Sequence, residues 1–175
     1  MTSPNPEPSE ENDFLAAHVA LLESSFRRLT GRDLIPGGVT DATTLARQLY
    51  QAPFFLASHD GGDDPVFNYA NLTAQALFEL DWSTFMTTPS RFTAEEPNRA
   101  ERARLLERVT AEGFIDDYAG IRISRTGKRF RIEGATVWNV SDDTGKVIGQ
   151  AATFDRWVSI QHPFRRAEQR PIRRR

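Results

Sequence analysis

The sequence contains no cysteine and only three histidines in 175 residues. Without cysteine there are no disulfides, thiolate nucleophiles, iron–sulfur clusters or cysteine-based zinc sites. No apolar run approaches eighteen residues, and the first thirteen residues are polar and acidic. Neither a membrane span nor a signal peptide is therefore expected, and a cytoplasmic setting is the default. There is no internal repeat, and the net charge of −2 favours no class of partner. Its distribution is uneven, however. Glu7, Glu10, Glu11 and Asp13 make the head acidic, while Arg165, Arg166, Arg170, Arg173, Arg174 and Arg175 make the tail basic.

What is present suffices for one domain with its own core, since 39% of the residues are hydrophobic. Residues 1–13 are rich in Pro, Glu, Ser and Asn and are expected to be disordered. The domain itself is expected over 14–160, with a basic disordered tail over 161–175. Leu15, Val19, Leu22, Phe26 and Leu29 fall on one helical stripe that Gly31 can end. Asp41 caps a second helix carrying Leu45, Leu49 and Tyr50. A strand over 54–58, a Gly- and Asp-rich turn and a strand over 66–70 follow. Asn71 then caps a further helix. Short helical turns are expected around Trp82, Phe85 and Phe92. A longer helix runs to Gly113, and its Arg99, Arg102, Arg104 and Arg108 among glutamates read as a solvated face.

Residues 118–157 read as three antiparallel strands. A two-residue turn at Thr126-Gly127 would pair Ile123 with Phe130, Ile121 with Ile132 and Arg122 with Arg131. Asp142-Asp143-Thr144-Gly145 would close the next hairpin, with Trp138 opposite Gly149 and Thr136 opposite Ala151. One face then holds Ile121, Ile123, Phe130, Ile132, Trp138, Val140 and Val147, beside the small residues Gly134, Gly149 and Ala151. The other face carries Arg122, Arg129 and Arg131, then Ala135, Val137, Ile148, Gln150, Ala152 and Phe154. The second set is too apolar to stay wet, so the helix over 14–30 is its expected cover. That helix can fold back or cross to a second copy, and a homodimer is the expectation.

Two strands, a group of helices and three strands can form a five-stranded antiparallel sheet with helices over one face, an α+β layout. The strings LYQAPFFLASHDGGDDPVFNYANLTAQALFELDW, RARLLERVTAEGFIDDYAGIRISRTGKRFRIEGATVWNV and GQAATFDRW resemble the MEKHLA domain, a PAS-related family. The resemblance spans about Leu15 to Trp157. It implies a PAS-like fold and a ligand or core between sheet and helices. It also places Thr153 where light-sensing relatives carry a flavin-contacting glutamine, which argues against flavin. The missing cysteine argues against a cysteinyl-flavin adduct. Haem-binding relatives supply a histidine from the long helix, and residues 97–112 have none, which argues against haem.

The candidate pocket is lined by Phe67, Tyr69, Trp82, Phe85, Ile121, Ile123, Phe130, Ile132, Trp138, Ala151 and Thr153. Such a set suits a small molecule or is simply a filled core. His59, Asp60, Asp63 and Asp64 are weak candidates for a cation site, because a Gly- and Asp-rich turn has this composition anyway. Ser58-His59-Asp60 holds the letters of a catalytic triad, but strand neighbours point apart, so no enzyme activity is expected. The arginine run from Arg165 to Arg175 has no interleaved aromatic residues for base stacking, and nucleic acid is not the expected partner. Two readings remain. One is a non-catalytic sensor or protein-interaction module; the other is a protein that binds, and even modifies, a small molecule.

Overall fold

The computed structural model describes residues 5–161, apart from the side chains of Glu96 and Pro97. The arginine tail lies outside the described residues. The head is ordered from Asn5, against expectation, because the folded domain offers it partners. The Trp82 indole donates to Asn5 O (2.9 Å), and the Tyr50 hydroxyl donates to Glu7 Oε1 (3.1 Å). A 3-10 segment, Glu10–Leu15, then seats Phe14 in the core.

The apolar stripe of the first helix forms as its spacing requires. Helix α1 (Ala16–Thr30) buries Val19, Leu22 and Phe26 and stops at Gly31, whose left-handed φ of 72° suits a residue without Cβ. Helix α2 (Ala42–Tyr50) starts at Asp41, whose carboxylate accepts from Thr44 N (2.8 Å). Strands β1 (Phe55–Asp60) and β2 (Phe67–Ala70) precede α3 (Leu72–Phe78) and α4 (Trp82–Phe85). Helix α5 (Glu96–Glu112) leads into β3 (Phe114–Ile123), β4 (Arg129–Ser141), β5 (Val147–Phe154) and β6 (Arg156–Ile160). The antiparallel sheet runs β2-β1-β5-β4-β3, and β6 extends the line of β5 along β4. Helices α3 and α5 cover one face and α1 covers the other.

Two local features decide which side chains reach which face, and both differ from expectation. The β3–β4 loop has three residues, not two: Ser124 N donates to Lys128 O (2.8 Å) and Gly127 N to Ser124 O (3.0 Å). Both common two-residue hairpin turns need positive φ at the first central position, which β-branched Thr126 resists; here only Gly127 takes it (88°). The register therefore slips by one, placing Ile123 opposite Arg129, Arg122 opposite Phe130 and Ile121 opposite Arg131. A one-residue slip turns a strand over. Arg122 and Ser124 are buried, and Ile121 is exposed.

The second feature is Gly134, with φ of 60° inside β4. Alternation breaks there. Ile132 before it and Ala135 and Val137 after it line the same cavity. Phe130 shares that side through Phe78. Trp138 instead points to α1, stacking edge-on with Phe26 (4.8 Å between centroids) and donating to Leu22 O (3.2 Å). The β4–β5 loop also closes over three residues, and the pairing becomes Thr136 with Thr153, Trp138 with Ala151 and Val140 with Gly149. Helix α1 thus covers Trp138 and its neighbours on its own sheet. Ala135, Val137, Gln150, Ala152 and Phe154, which were expected beneath α1, line the cavity on the opposite face.

Gly134→Ala forces a Cβ into the left-handed region, where it meets the Arg156 guanidinium. The flexible Arg156 can move aside, so the backbone term dominates. We expect a loss of about 1–2 kcal/mol, read from the urea midpoint.

Candidate functional site

Between the sheet and α5 lies a cavity of about 80 Å³. Its walls are chiefly apolar: Phe55 and Ala57 from β1, Phe78 from α3, Leu105 from α5, and Ile132 and Val137 from β4. His59, Arg102 and Gln150 also border a surface cleft of about 670 Å³ formed by the β1–β2 loop and α5. These three polar residues therefore stand between cavity and solvent. Gln150 Nε2 lies within hydrogen-bond range of Leu106 O (3.2 Å), Thr110 Oγ1 (3.1 Å) and Asn139 Oδ1 (3.1 Å), and Asn139 Nδ2 donates to Val109 O (3.0 Å). Together they tie α5 to β4 and β5.

Arginine is the unexpected element. Arg102 leaves the solvated face assigned to it and is buried beside Ser90 Oγ, to which it donates. Burial, then the neighbouring Arg122, lowers its pKa to about 10, so it stays charged at neutral pH. Arg122, turned inward by the hairpin slip, lies over the Tyr118 ring (5.3 Å) and donates to Ile121 O (3.1 Å). A helix-borne arginine among glutamates gives no sequence signal of burial. The three-residue loop at Gly127 was the signal that could have found Arg122.

The expected pocket is divided. Phe67, Ile132 and Ala151 border the cavity, and Phe85 and Phe130 back it through Phe67 and Phe78. Tyr69 and Trp82 pack against each other towards the head and α1 (5.9 Å). Trp138 lies under α1. Thr153, paired with Thr136 on the α1 side, donates to Phe55 O (2.8 Å). Ile121 and Ile123 face away because of the slip. The loop acids do not converge either. Asp60 Oδ1 accepts from Gly62 N and Val66 N, and Asp64 pairs with Arg91 (2.9 Å). Among the described residues no three His, Asp or Glu side chains gather as metal ligands. Ser58 and His59 point to opposite faces: Ser58 contacts His18 and Asn68, whereas His59 lines the cavity.

His18 carries the pH dependence of the other face. Its Nε2 lies 3.0 Å from Ser58 Oγ, and its ring stacks on Tyr69 at 5.8 Å. Burial pushes its pKa down to about 4, from 6.5. The folded state therefore holds His18 neutral while the unfolded chain protonates it. Stability is complete above pH 6.5, falls as pH drops towards 4, and then levels. The full shift corresponds to about 3 kcal/mol, and partial exposure of the ring brings the expected loss to about 2 kcal/mol. His18→Gln should flatten that part of a stability–pH curve.

With this geometry in view, the MEKHLA domain family matches residues 16–159. The chain belongs to the MEKHLA family. Homeobox-leucine zipper protein ATHB-14 of Arabidopsis thaliana is 27% identical over 145 residues, covering 81% of this chain. The chain spans only 17% of that relative's length. Among solved structures, a PAS domain from Colwellia psychrerythraea superposes with a TM-score of 0.55 at 11% identity. That likeness covers 67% of this chain and 94% of the other. An RNA-binding light-oxygen-voltage receptor gives 0.56 at 16% identity, covering 69% of this chain and 34% of the receptor. The MEKHLA chain therefore has the PAS fold, an antiparallel sheet with helices. No helix of the described residues is long and apolar enough to cross a membrane.

Proposed function

We propose that this MEKHLA domain is a non-catalytic, PAS-like sensor module that takes a small molecule between sheet and α5 and reports it through α1. One observation supports this most directly: the same strand, β4, serves both faces, residue by residue. Val137 and Asn139 meet the cavity side, while Trp138 and Ser141 hold α1. Ser25 Oγ accepts from Ser141 N (2.9 Å), and the Trp138 indole donates to Leu22 O. A ligand that shifts β4 by a fraction of an ångström must move those ties, because packed interfaces repack rather than stretch. A regulatory role is in keeping with the plant relative being a homeobox-leucine zipper protein. The separation of Ser58 from His59 supports a non-catalytic reading.

Native mass spectrometry and absorbance of the purified chain would reveal a copurifying small molecule. Hydrogen exchange of Ala16–Thr30, before and after its removal, tests the coupling. Slower exchange in α1 with the cavity occupied is the expected result. Identical exchange in both states would sink the sensor reading.

A further inference from the structure

Two guanidiniums, Arg102 and Arg122, line one largely apolar cavity with relative exposures of 8% and 9%. Neither is ion-paired with any carboxylate whose side chain the structure describes. Asp64, whose field reaches Arg102, is itself paired with Arg91. The neutral partners present are Ser90 Oγ, Ile121 O and the face of Tyr118. A buried charge without a counter-charge is strongly unfavourable, and two like charges side by side are worse. The planar fork of arginine matches a carboxylate bidentately, and burial makes that pairing stronger than it would be in water.

We propose that this cavity is the binding site of a small monocarboxylate with a short apolar tail, its head held by Arg102 and Arg122. This rests on the sensor reading above and names the ligand class for the same site. The tail lies against Phe55, Phe78, Ile132 and Val137. Size sets its length. A cavity of about 150 Å³ holds the six carbons of benzene. This one, about half as large, takes a tail of about three carbons, such as an isopropyl end, and leaves the carboxylate at the cleft side beside Arg102. Arg102 borders both cavity and cleft, so it meets the incoming carboxylate first; Arg122 lines the cavity alone.

The test is calorimetric titration of the full chain at neutral pH and low salt. Four probes are used: isovalerate, isoamyl alcohol, isoamylamine and inorganic phosphate. Isovalerate is expected to bind at least tenfold more tightly than the alcohol, with the amine and phosphate weaker still. Arg102→Gln and Arg122→Gln, each checked for native circular dichroism, should lose at least tenfold for isovalerate and keep their affinity for the alcohol. Should either variant fail to fold, Arg122→Lys keeps the charge without the fork and should bind isovalerate more weakly than the unaltered chain. Binding of the alcohol as tight as isovalerate overturns the anionic class and leaves the sensor reading intact. Phosphate binding as tight as isovalerate overturns the apolar tail, and no binding by any of the four overturns the proposal. Isovalerate binding with no change of exchange in α1 keeps the ligand class and sinks the sensor reading.

Discussion

Asn71→Ala should lower stability by about 4 kcal/mol, among the largest effects of any single substitution in the chain. Asn71 is fully buried and uses its whole amide. Its Oδ1 accepts from Ala74 N (3.0 Å) and Leu56 N (3.2 Å), while Nδ2 donates to Leu49 O (3.0 Å) and Phe54 O (2.8 Å). One side chain therefore caps α3, closes the last turn of α2 and holds the start of β1. Truncation removes this partner from Ala74 N, Leu56 N and Phe54 O, while Leu49 O keeps Ala52 N (3.4 Å); each orphaned buried group costs about 1–3 kcal/mol. Some regain water or each other, so the sum falls short of the maximum. An ordinary exposed cap would lose only about 1 kcal/mol. Urea unfolding separates the two cases, and a loss near 1 kcal/mol would mean that the four bonds do not act together. Asn71→Asp keeps the cap acceptor but removes both donations, so it should be nearly as damaging.

Asn71 also shows what could be read in advance. An Asx residue before an apolar helix is a start signal, and α2 and α3 begin where such signals stand, at Asp41 and Asn71. The long-range half of its role is invisible in sequence, because Leu49 and Leu56 become its neighbours only after folding. Faces were harder than elements. Thr126-Gly127 suits two loop lengths, and the choice between them decides whether Arg122 or Ile121 is buried. The disfavour of positive φ for β-branched Thr126 pointed to the longer loop. Gly134 in mid-strand was a further signal, since an interior glycine marks a break in alternation. Reading strict alternation across it put Trp138 and Thr153 on the wrong side of the sheet. The two arginines were missed for another reason. Composition cannot distinguish a solvated arginine from one buried among neutral partners: Ser90 reaches Arg102 from another element, and Arg122 turns inward over Tyr118 of its own strand only in the observed register.

Trp138→Ala should cost about 4 kcal/mol, within the usual range for deleting a buried aromatic side chain. The side chain is completely buried, meets Phe26 edge-on, and satisfies its N–H at Leu22 O. The larger value of this variant is where the damage falls. With alternation broken at Gly134, Trp138 supports α1, so hydrogen exchange in Ala16–Thr30 should accelerate more than in Glu96–Glu112. Ile132→Ala is the mirror case, because Ile132 lines the cavity. It should loosen α5 first and enlarge the space for a ligand tail. If Trp138→Ala loosened α5 and spared α1, the face assignment would be inverted, and the coupling proposed between cavity and α1 would lose its route. Trp138→Phe keeps most of the contact with Phe26 and removes only the indole donor. Leu22 O already accepts within α1, so this variant should lose about 1–2 kcal/mol, stay folded and still report which helix responds.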